Sequence, residues 1–456
     1  MAERRPSSSQ TVAIVGSGMA GLVSAYLLQN DQKRRFEVEI FETQDHLSLD
    51  SASHTIDEHA EKKDRIDLPM RAFSPGFYDN LKRMYDYLGV ESTSPRFIYS
   101  LIQADSSNDT SYYLHSSSLH RLPQRPEGRT FISWIIEVCY LTICYFWFTA
   151  CCFYVRPRSE SVSREGESLR EYLQRIRIPW YYTKNYLLPL LSSVTTCTHE
   201  ATLEFPAIDI VDYERKTFRQ PHYTVIGGVD CVQKKLSKDQ KVRLGATVTA
   251  VENIGTKVQI TWKDARNGEI DSALFDHVIL AVTPNVVGSI YQPLQSAMAS
   301  VPTVPVDSIV HNDYTGISSC SKSLKRKLLS EQGSTRPQVM HMRSNPTATE
   351  CIHEHPSSAL ITTFPLDPID PAKVIHRARF TRVLRTPRSR EIVNDIFSEK
   401  RTQNARDDKQ HLWRNGDGNV WLVGGWCWDA MVVLEGCVVS AMRVADGLDV
   451  EVPWRK

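Results

Sequence analysis

The chain lacks any C-x-x-C pair among its ten cysteines, which lie at 139, 144, 151, 152, 197, 231, 320, 351, 427 and 437. Zinc sites are commonly built from such pairs, and a chain of 456 residues needs no disulfide staples, so neither framework is expected. Four of the ten fall inside one apolar stretch, where cysteine behaves as a small hydrophobe. Charge of one sign is missing too. Lys plus Arg (54) against Asp plus Glu (53) leaves +1, which removes the field a nucleic-acid binder would present. Gly (21) and Pro (23) are too few for a collagenous or low-complexity chain. A mean hydropathy of −0.33 excludes a polytopic membrane protein. No fixed-period repeat, Ser/His/Asp set or metal-ligand cluster stands out. The opening MAERRPSSSQ is basic without an apolar run, so a secretory signal is not expected. The expectation is a protein of the reducing, cytoplasmic side that is not secreted.

What is present is enough apolar residue, 41%, for a sizeable core, in a length that suits two or three units. TVAIV, GSGMAG and LVSAYLLQN read as a buried strand, a glycine turn and a helix, and FEVEIFE as a second strand. Gly16-Ser17-Gly18-Met19-Ala20-Gly21 is a G-x-G-x-x-G pattern in its proper setting, and Glu42 ends the following strand 21 positions after Gly21. Gly16 permits the tight turn, Gly18 lets backbone approach a pyrophosphate, and Gly21 allows close packing of helix on strand. The helix N-terminus offers N–H groups to the anion, and Glu42 can accept from the adenosine ribose hydroxyls. The pattern alone does not separate NAD from FAD.

Two further blocks carry a resemblance. VRLGATVTAVE with FDHVILAVTP is similar to the middle flavin-contacting segment of the flavin amine oxidase and phytoene desaturase superfamily. NVWLVGGWCWDAMVVLEGCVVSAMRVA resembles that superfamily's C-terminal flavin motif. Gly424-Gly425-Trp426 and His311-Asn312-Asp313 look most like the NAD/FAD-binding, amine-oxidase-like oxidoreductases of bacteria and fungi. The resemblance implies FAD as cofactor. Gly16, Ser17, Gly18, Met19, Ala20, Gly21 and Glu42 would hold its ADP half, and Val248 the adenine through its backbone. Gly425, Trp426, Glu435, Gly436 and Val438 would surround the ribityl chain and isoalloxazine. The superfamily places an Arg and a Gly-Gly pair soon after the ribose carboxylate. Here TQDHLSLDSASHTID has neither, and Ser51, Ser53 and His54 are the polar residues expected to substitute.

Other signals read two ways. Cys427 and Cys437 stand near the expected flavin, as attachment points or as buried thiols. Trp426 and Trp428 line the substrate face or pack their loop. The basic run 376–390 holds an acidic substrate or forms a solvated strand edge. His311 and Asp313 form an acid/base pair or a structural hydrogen bond.

Residues 131–155 contain one charge, Glu137, and are flanked by Arg121, Arg125 and Arg129 before and Arg156 and Arg158 after. Length and flanks fit a membrane-inserted helix. A single crossing would divide the nucleotide-binding domain between two sides, so attachment at a membrane surface is expected, with burial inside the protein as the alternative.

The expected fold class is α/β: a discontinuous Rossmann-like FAD domain (1–100, 221–305, 410–456) with an inserted α+β substrate domain (101–220, 306–409). The expected function is an FAD-dependent oxidoreductase. The place before the last flavin helix, where amine oxidases of the superfamily set an aromatic ring, is Met431-Val432-Val433-Leu434. An aliphatic wall offers no cation–π stabilisation and favours apolar groups, so a lipophilic small-molecule substrate is expected. Amine oxidation is the alternative, as is a membrane-associated dinucleotide-binding protein without turnover. No nucleic-acid partner and no metal are expected.

Overall fold

A computed structural model describes residues 9–56, 64–104, 111–116, 125, 128–158, 166–317, 338–355, 357–397 and 413–455. The opening 1–8, Arg121 and Cys320 lie outside the described residues.

Five parallel strands form the central sheet, in the order Val420–Leu422, His277–Leu280, Gln10–Val15, Phe36–Glu42 and Lys241–Leu244. Both faces are covered, which is why TVAIV and HVIL read as unbroken apolar runs. Val12 and Ile14 face the helices Met19–Gln29 and Leu434–Gly447. Ala13 and Val15, one residue out of phase, face an antiparallel meander of Ala246–Ile254, Lys257–Asp264 and Ile270–Phe275. This alternation sets a helical layer on one side of the sheet and the meander on the other. The mixed α/β class with a Rossmann-like unit is therefore the fold of the chain.

The second body is a seven-stranded sheet in the order Val374–Val383, Thr303–His311, Leu360–Thr363, Thr349–Glu354, Gln338–Ser344, Phe97–Gln103 and Ser111–Ser116. Its pairs are antiparallel except Gln338–Ser344 on Phe97–Gln103. Leu101 and Met342 join the large core shared with the helices between 141 and 211, while Ile98, Ile102 and Val339 form a smaller core on the opposite face. The parallel sheet takes its strands from three separated stretches of chain, which places Glu42 beside Ser17 and Cys437 beside Ala20 and Gly425.

The apolar stretch forms one helix, Phe131–Tyr154, started by the Thr130 hydroxyl, which accepts from the Ser133 amide. It is long and apolar enough to cross a membrane, and a third of its most apolar window is buried.

Candidate functional site

Gly16 lies at φ +102°, and a Cβ there would come within 2.7 Å of the Ala281 carbonyl oxygen. A Cβ on Gly21 would sit 2.1 Å from the Gly16 carbonyl oxygen, so helix and turn touch backbone to backbone. Gly18 differs. Its φ of −68° suits any residue, and the nearest atom to a Cβ would be Ser48 Oγ at 4.0 Å. Nothing in the protein's own packing requires a glycine there, and the space beside its backbone remains open. The helix it begins has neither a side-chain cap nor an acidic residue in its first turn. Open space at a bare helix N-terminus is the geometry that receives a phosphate.

Glu42 is buried beside this turn. Its Oε2 accepts from the Ser17 amide at 3.0 Å and the Ser17 hydroxyl at 2.5 Å, and its Oε1 accepts from the Gln44 amide at 3.1 Å. A carboxylate oxygen has two lone pairs, so Oε1 keeps capacity for a ribose hydroxyl. Val248 reaches the same end of the sheet: its neighbour Thr247 shares a hydroxyl hydrogen bond of 2.5 Å with Thr43.

Three polar residues named from the sequence for the loop after Glu42 are turned to internal work. The Ser51 hydroxyl donates to the Ser48 carbonyl, the Ser53 hydroxyl accepts from the Leu68 amide, and His54 stacks on His376. The loop residue that meets the glycine turn is Ser48, whose amide donates to Ser17 Oγ at 2.8 Å. Nothing in its polar run marked it out. Arg71, also unmarked, donates from Nη2 to the Leu49 carbonyl at 2.7 Å, and its buried Nε has no partner among the described residues.

From the far end of the chain, Gly425, Gly436 and Val438 come to this place. A Cβ on Gly425 would meet the Val433 carbonyl at 3.0 Å and Cys437 Sγ at 3.5 Å, and one on Gly436 would meet the Gly425 carbonyl at 2.5 Å. The Cys437 thiol, pushed up to about 12 by burial, has the Arg71 guanidinium and the Ala20 and Gly425 amides as neighbours. The N-terminus of Leu434–Gly447 is thus beside that of Met19–Gln29, and it too has no side-chain cap. Val438 is fully buried in the core beneath. Cys427 is fully buried with its thiol pushed far up, the state of an inert packed cysteine.

Glu435 does not turn toward this space. Its Oε1 accepts from the Asn80 amide (2.9 Å) and side chain (2.7 Å), and its Oε2 accepts from the Leu81 amide (2.9 Å). It caps the helix Asp79–Tyr87 across the interface, and burial raises its pKa. Trp426 and Trp428 pack their loop. The Trp426 indole donates to the Val282 carbonyl, and the Trp428 indole donates to the Met431 carbonyl with its ring edge-on to Phe77. Both loop carbonyls are held by one guanidinium: Arg385, 2% exposed, donates to Trp428 O at 2.7 Å and Trp426 O at 2.6 Å. Asp209 lies 3.9 Å behind Arg385 and 3.2 Å from Arg390, and burial raises its pKa to about 6 despite both cations.

The basic run therefore divides. Arg377 and Arg379 stand on the edge strand paired with Asp307, whereas Arg385 and Arg390 hold the loop that bears Trp426, Trp428 and Asp429. His311 lies buried in the second sheet. Its ring contacts the Thr362 hydroxyl at 2.7 Å and accepts from the Asp313 amide at 3.1 Å, and burial lowers its pKa. The Asp313 carboxylate meets Thr315 and Lys373 instead. No group of three or more metal-ligating side chains is found among the described residues. A cavity of 420 Å³ lined by Arg158, Glu167, Glu171 and Arg175 shares no residue with the cluster around the glycine turn.

Residues 14–88 match the NAD(P)-binding Rossmann-like domain family. No curated protein matches the sequence. Among solved structures, the chain resembles a candidate protoporphyrinogen oxidase from Exiguobacterium sp. 255-15, at 14% identity over 97% of this chain and 99% of that one, TM-score 0.56. It likewise resembles a fatty acid isomerase from P. acnes that produces CLA, at 11% identity over 97% and 99%, TM-score 0.59. At these identities the likeness is one of fold, and it runs nearly end to end. The fold implied by the flavin amine oxidase resemblance is the fold observed.

Proposed function

We propose that a chain of this fold, with this site, is an FAD-dependent oxidoreductase acting on a lipophilic small molecule. The observation that carries the reading is the pair of uncapped helix N-termini, from opposite ends of the sequence, meeting beside the open flank of Gly18. A dinucleotide with two partners to satisfy, a diphosphate and a ring edge, suits two such termini better than a mononucleotide does.

The turn Gly16–Gly21 would hold the diphosphate through backbone amides. Glu42 Oε1 would take a ribose hydroxyl, and the Val248 backbone would border the adenine. Gly425 and the first turn of Leu434–Gly447 would present N–H groups to the isoalloxazine edge. Bound FAD would supply the hydride acceptor. Met431 and Val432 are buried and Val433 and Leu434 half-buried, an apolar wall that excludes water and favours a carbon substrate over an ammonium. Trp428 is held by its indole hydrogen bond and by the close approach of Gly436, which supports carbon oxidation over an aromatic cage for amines.

The test is anaerobic bleaching of the FAD-loaded protein by a panel of fatty acyl, isoprenoid and polyketide-like compounds beside small primary and secondary amines. Bleaching by lipophilic members alone is expected. Efficient bleaching by a small polar amine would overturn the substrate assignment. A reading without turnover draws support from Ser51, Ser53 and His54 being spent internally, and it requires FAD uptake with no bleaching by any compound.

A further inference from the structure

The helix Phe131–Tyr154 is held by only part of its surface. Leu141, Cys144, Phe148, Cys151 and Cys152 form the buried stripe, and the Thr149 hydroxyl donates to Glu214 on the helix Ala207–Thr217 at 3.2 Å. Its first ten residues have no buried side chain. Ile132 is 72% exposed, Ile136 64%, Ile143 70% and Phe146 55%, and Trp180 of the next segment adds a ring that is 59% exposed. Water-soluble monomers rarely show so continuous an apolar face.

The charges are arranged to suit. Glu137, the helix's sole ionisable carboxylate, is 18% exposed and turned inward, where the Tyr181 and Tyr186 hydroxyls donate to it and Arg129 lies 4.0 Å away. The outward face thus has no acidic group. Exposed cations border it instead: Arg125 before the helix, Arg156 and Arg158 after it, and Arg177 and Lys184 on the adjoining segment that also bears Trp180. Ile176, next to Arg177, receives the Trp147 indole N–H at 2.8 Å, which ties this segment to the helix. Apolar and aromatic residues ringed by cations match acyl chains under anionic headgroups.

The chain does not cross. Gln10–Val15 and Phe36–Glu42, before the helix, pair in one sheet with His277–Leu280 and through it with Val420–Leu422, after the helix. All of these strands must lie on one side of any bilayer.

We propose that the exposed face of Phe131–Tyr154, with Trp180, docks into one leaflet of an anionic phospholipid bilayer as a monotopic anchor. The proposal does not rest on the flavin chemistry and stands or falls separately from it. The experiment uses the full chain, freed of detergent and mixed with vesicles of phosphatidylcholine with or without phosphatidylserine. Co-sedimentation is expected, stronger with phosphatidylserine and weakened by salt, and a triple variant Ile132→Glu, Ile136→Glu, Ile143→Glu is expected to lose at least tenfold in vesicle affinity. These three side chains are outside the core, and an unchanged unfolding transition would show the fold intact. If the triple variant does not fold, quenching of Trp180 by brominated lipid, compared between the wild type and Trp180→Phe, reads the same contact. A wild type that stays in the supernatant with vesicles, or a folded triple variant that still sediments with them, overturns the proposal. So does a wild-type oligomer that the triple variant disperses without any vesicle binding, which would make this face an interface between copies of the chain.

Discussion

Replacing Gly18 by alanine should separate folding from cofactor binding, and replacing Gly21 should not. At Gly21 the new Cβ would stand 2.1 Å from the Gly16 carbonyl oxygen, with the Gly16 carbonyl carbon at 3.1 Å and Ala281 Cβ at 3.2 Å behind it. An ordinary contact needs at least about 1.3 Å more, so the helix must lift from the turn, an overpacking strain of about 3 kcal/mol. At Gly18 the Cβ meets nothing nearer than 4.0 Å, and φ −68° with ψ −179° is open to alanine. The weaker N-cap preference of alanine is offset by the smaller entropy of its unfolded chain, leaving stability within about 1 kcal/mol of wild type. That methyl group does enter the space a diphosphate would use. Loss of one charge-assisted hydrogen bond, about 2 kcal/mol, corresponds to about 30-fold weaker FAD binding. Denaturant unfolding of the FAD-free protein and fluorescence titration with FAD measure the two effects separately. Unfolding of Gly18→Ala as early as Gly21→Ala, or FAD binding by Gly18→Ala as tight as wild type, would contradict this separation.

Arg385→Met should lower the unfolding free energy by about 3 kcal/mol or more, because two loop carbonyls lose a charged donor and Asp209 loses a buried cation; chemical denaturation reads this, and near-UV dichroism should report the released Trp426 and Trp428. Asp209, raised from 3.8 to about 6 in the folded protein, binds more protons folded than unfolded between those values. Stability should therefore fall as pH rises from about 4 to about 6 and then level off, by about 2–3 kcal/mol relative to Asp209→Asn in matched unfolding curves; parallel curves would contradict the assignment. Glu435→Gln should cost about 1–2 kcal/mol through the Leu81 amide it no longer accepts from, while FAD affinity in titration stays at the wild-type value.

The strand–turn–helix from Thr11 to Glu42 was legible because its information is local: an apolar run, glycines at fixed offsets and a helical stripe all lie within one short stretch. The same holds for the last helix, which begins at Leu434 beside the expected Glu435. Strand order was not legible. His277–Leu280 sits between Gln10–Val15 and Val420–Leu422, and an apolar run contains nothing that names its neighbour. The seven-stranded sheet was visible only as strand-like segments mixed with arginines; its edge strand Val374–Val383, where those arginines lie, is buried at only two positions. Individual side chains were harder still. Arg377 and Arg385 look alike in sequence, yet one stands on an open edge and the other is buried under two tryptophan carbonyls, a difference set by where the edge strand ends. The resemblance sets Glu435 near the expected flavin by its position along the helix, but rotation about the helix axis decides which neighbour its carboxylate meets, and that neighbour is Asn80. Ser48 had no signal at all in its polar run, because its role comes from a contact with Ser17 across the turn.

The two uncapped helix termini and the open flank of Gly18 are proposed to hold FAD. The most direct measurement is the visible absorption of the purified protein after incubation with FAD and removal of the free cofactor, followed by dithionite. A stoichiometric flavin spectrum that bleaches on reduction, and that is depleted in Gly18→Ala, is the predicted result. A folded, colourless protein that takes up no FAD would contradict it.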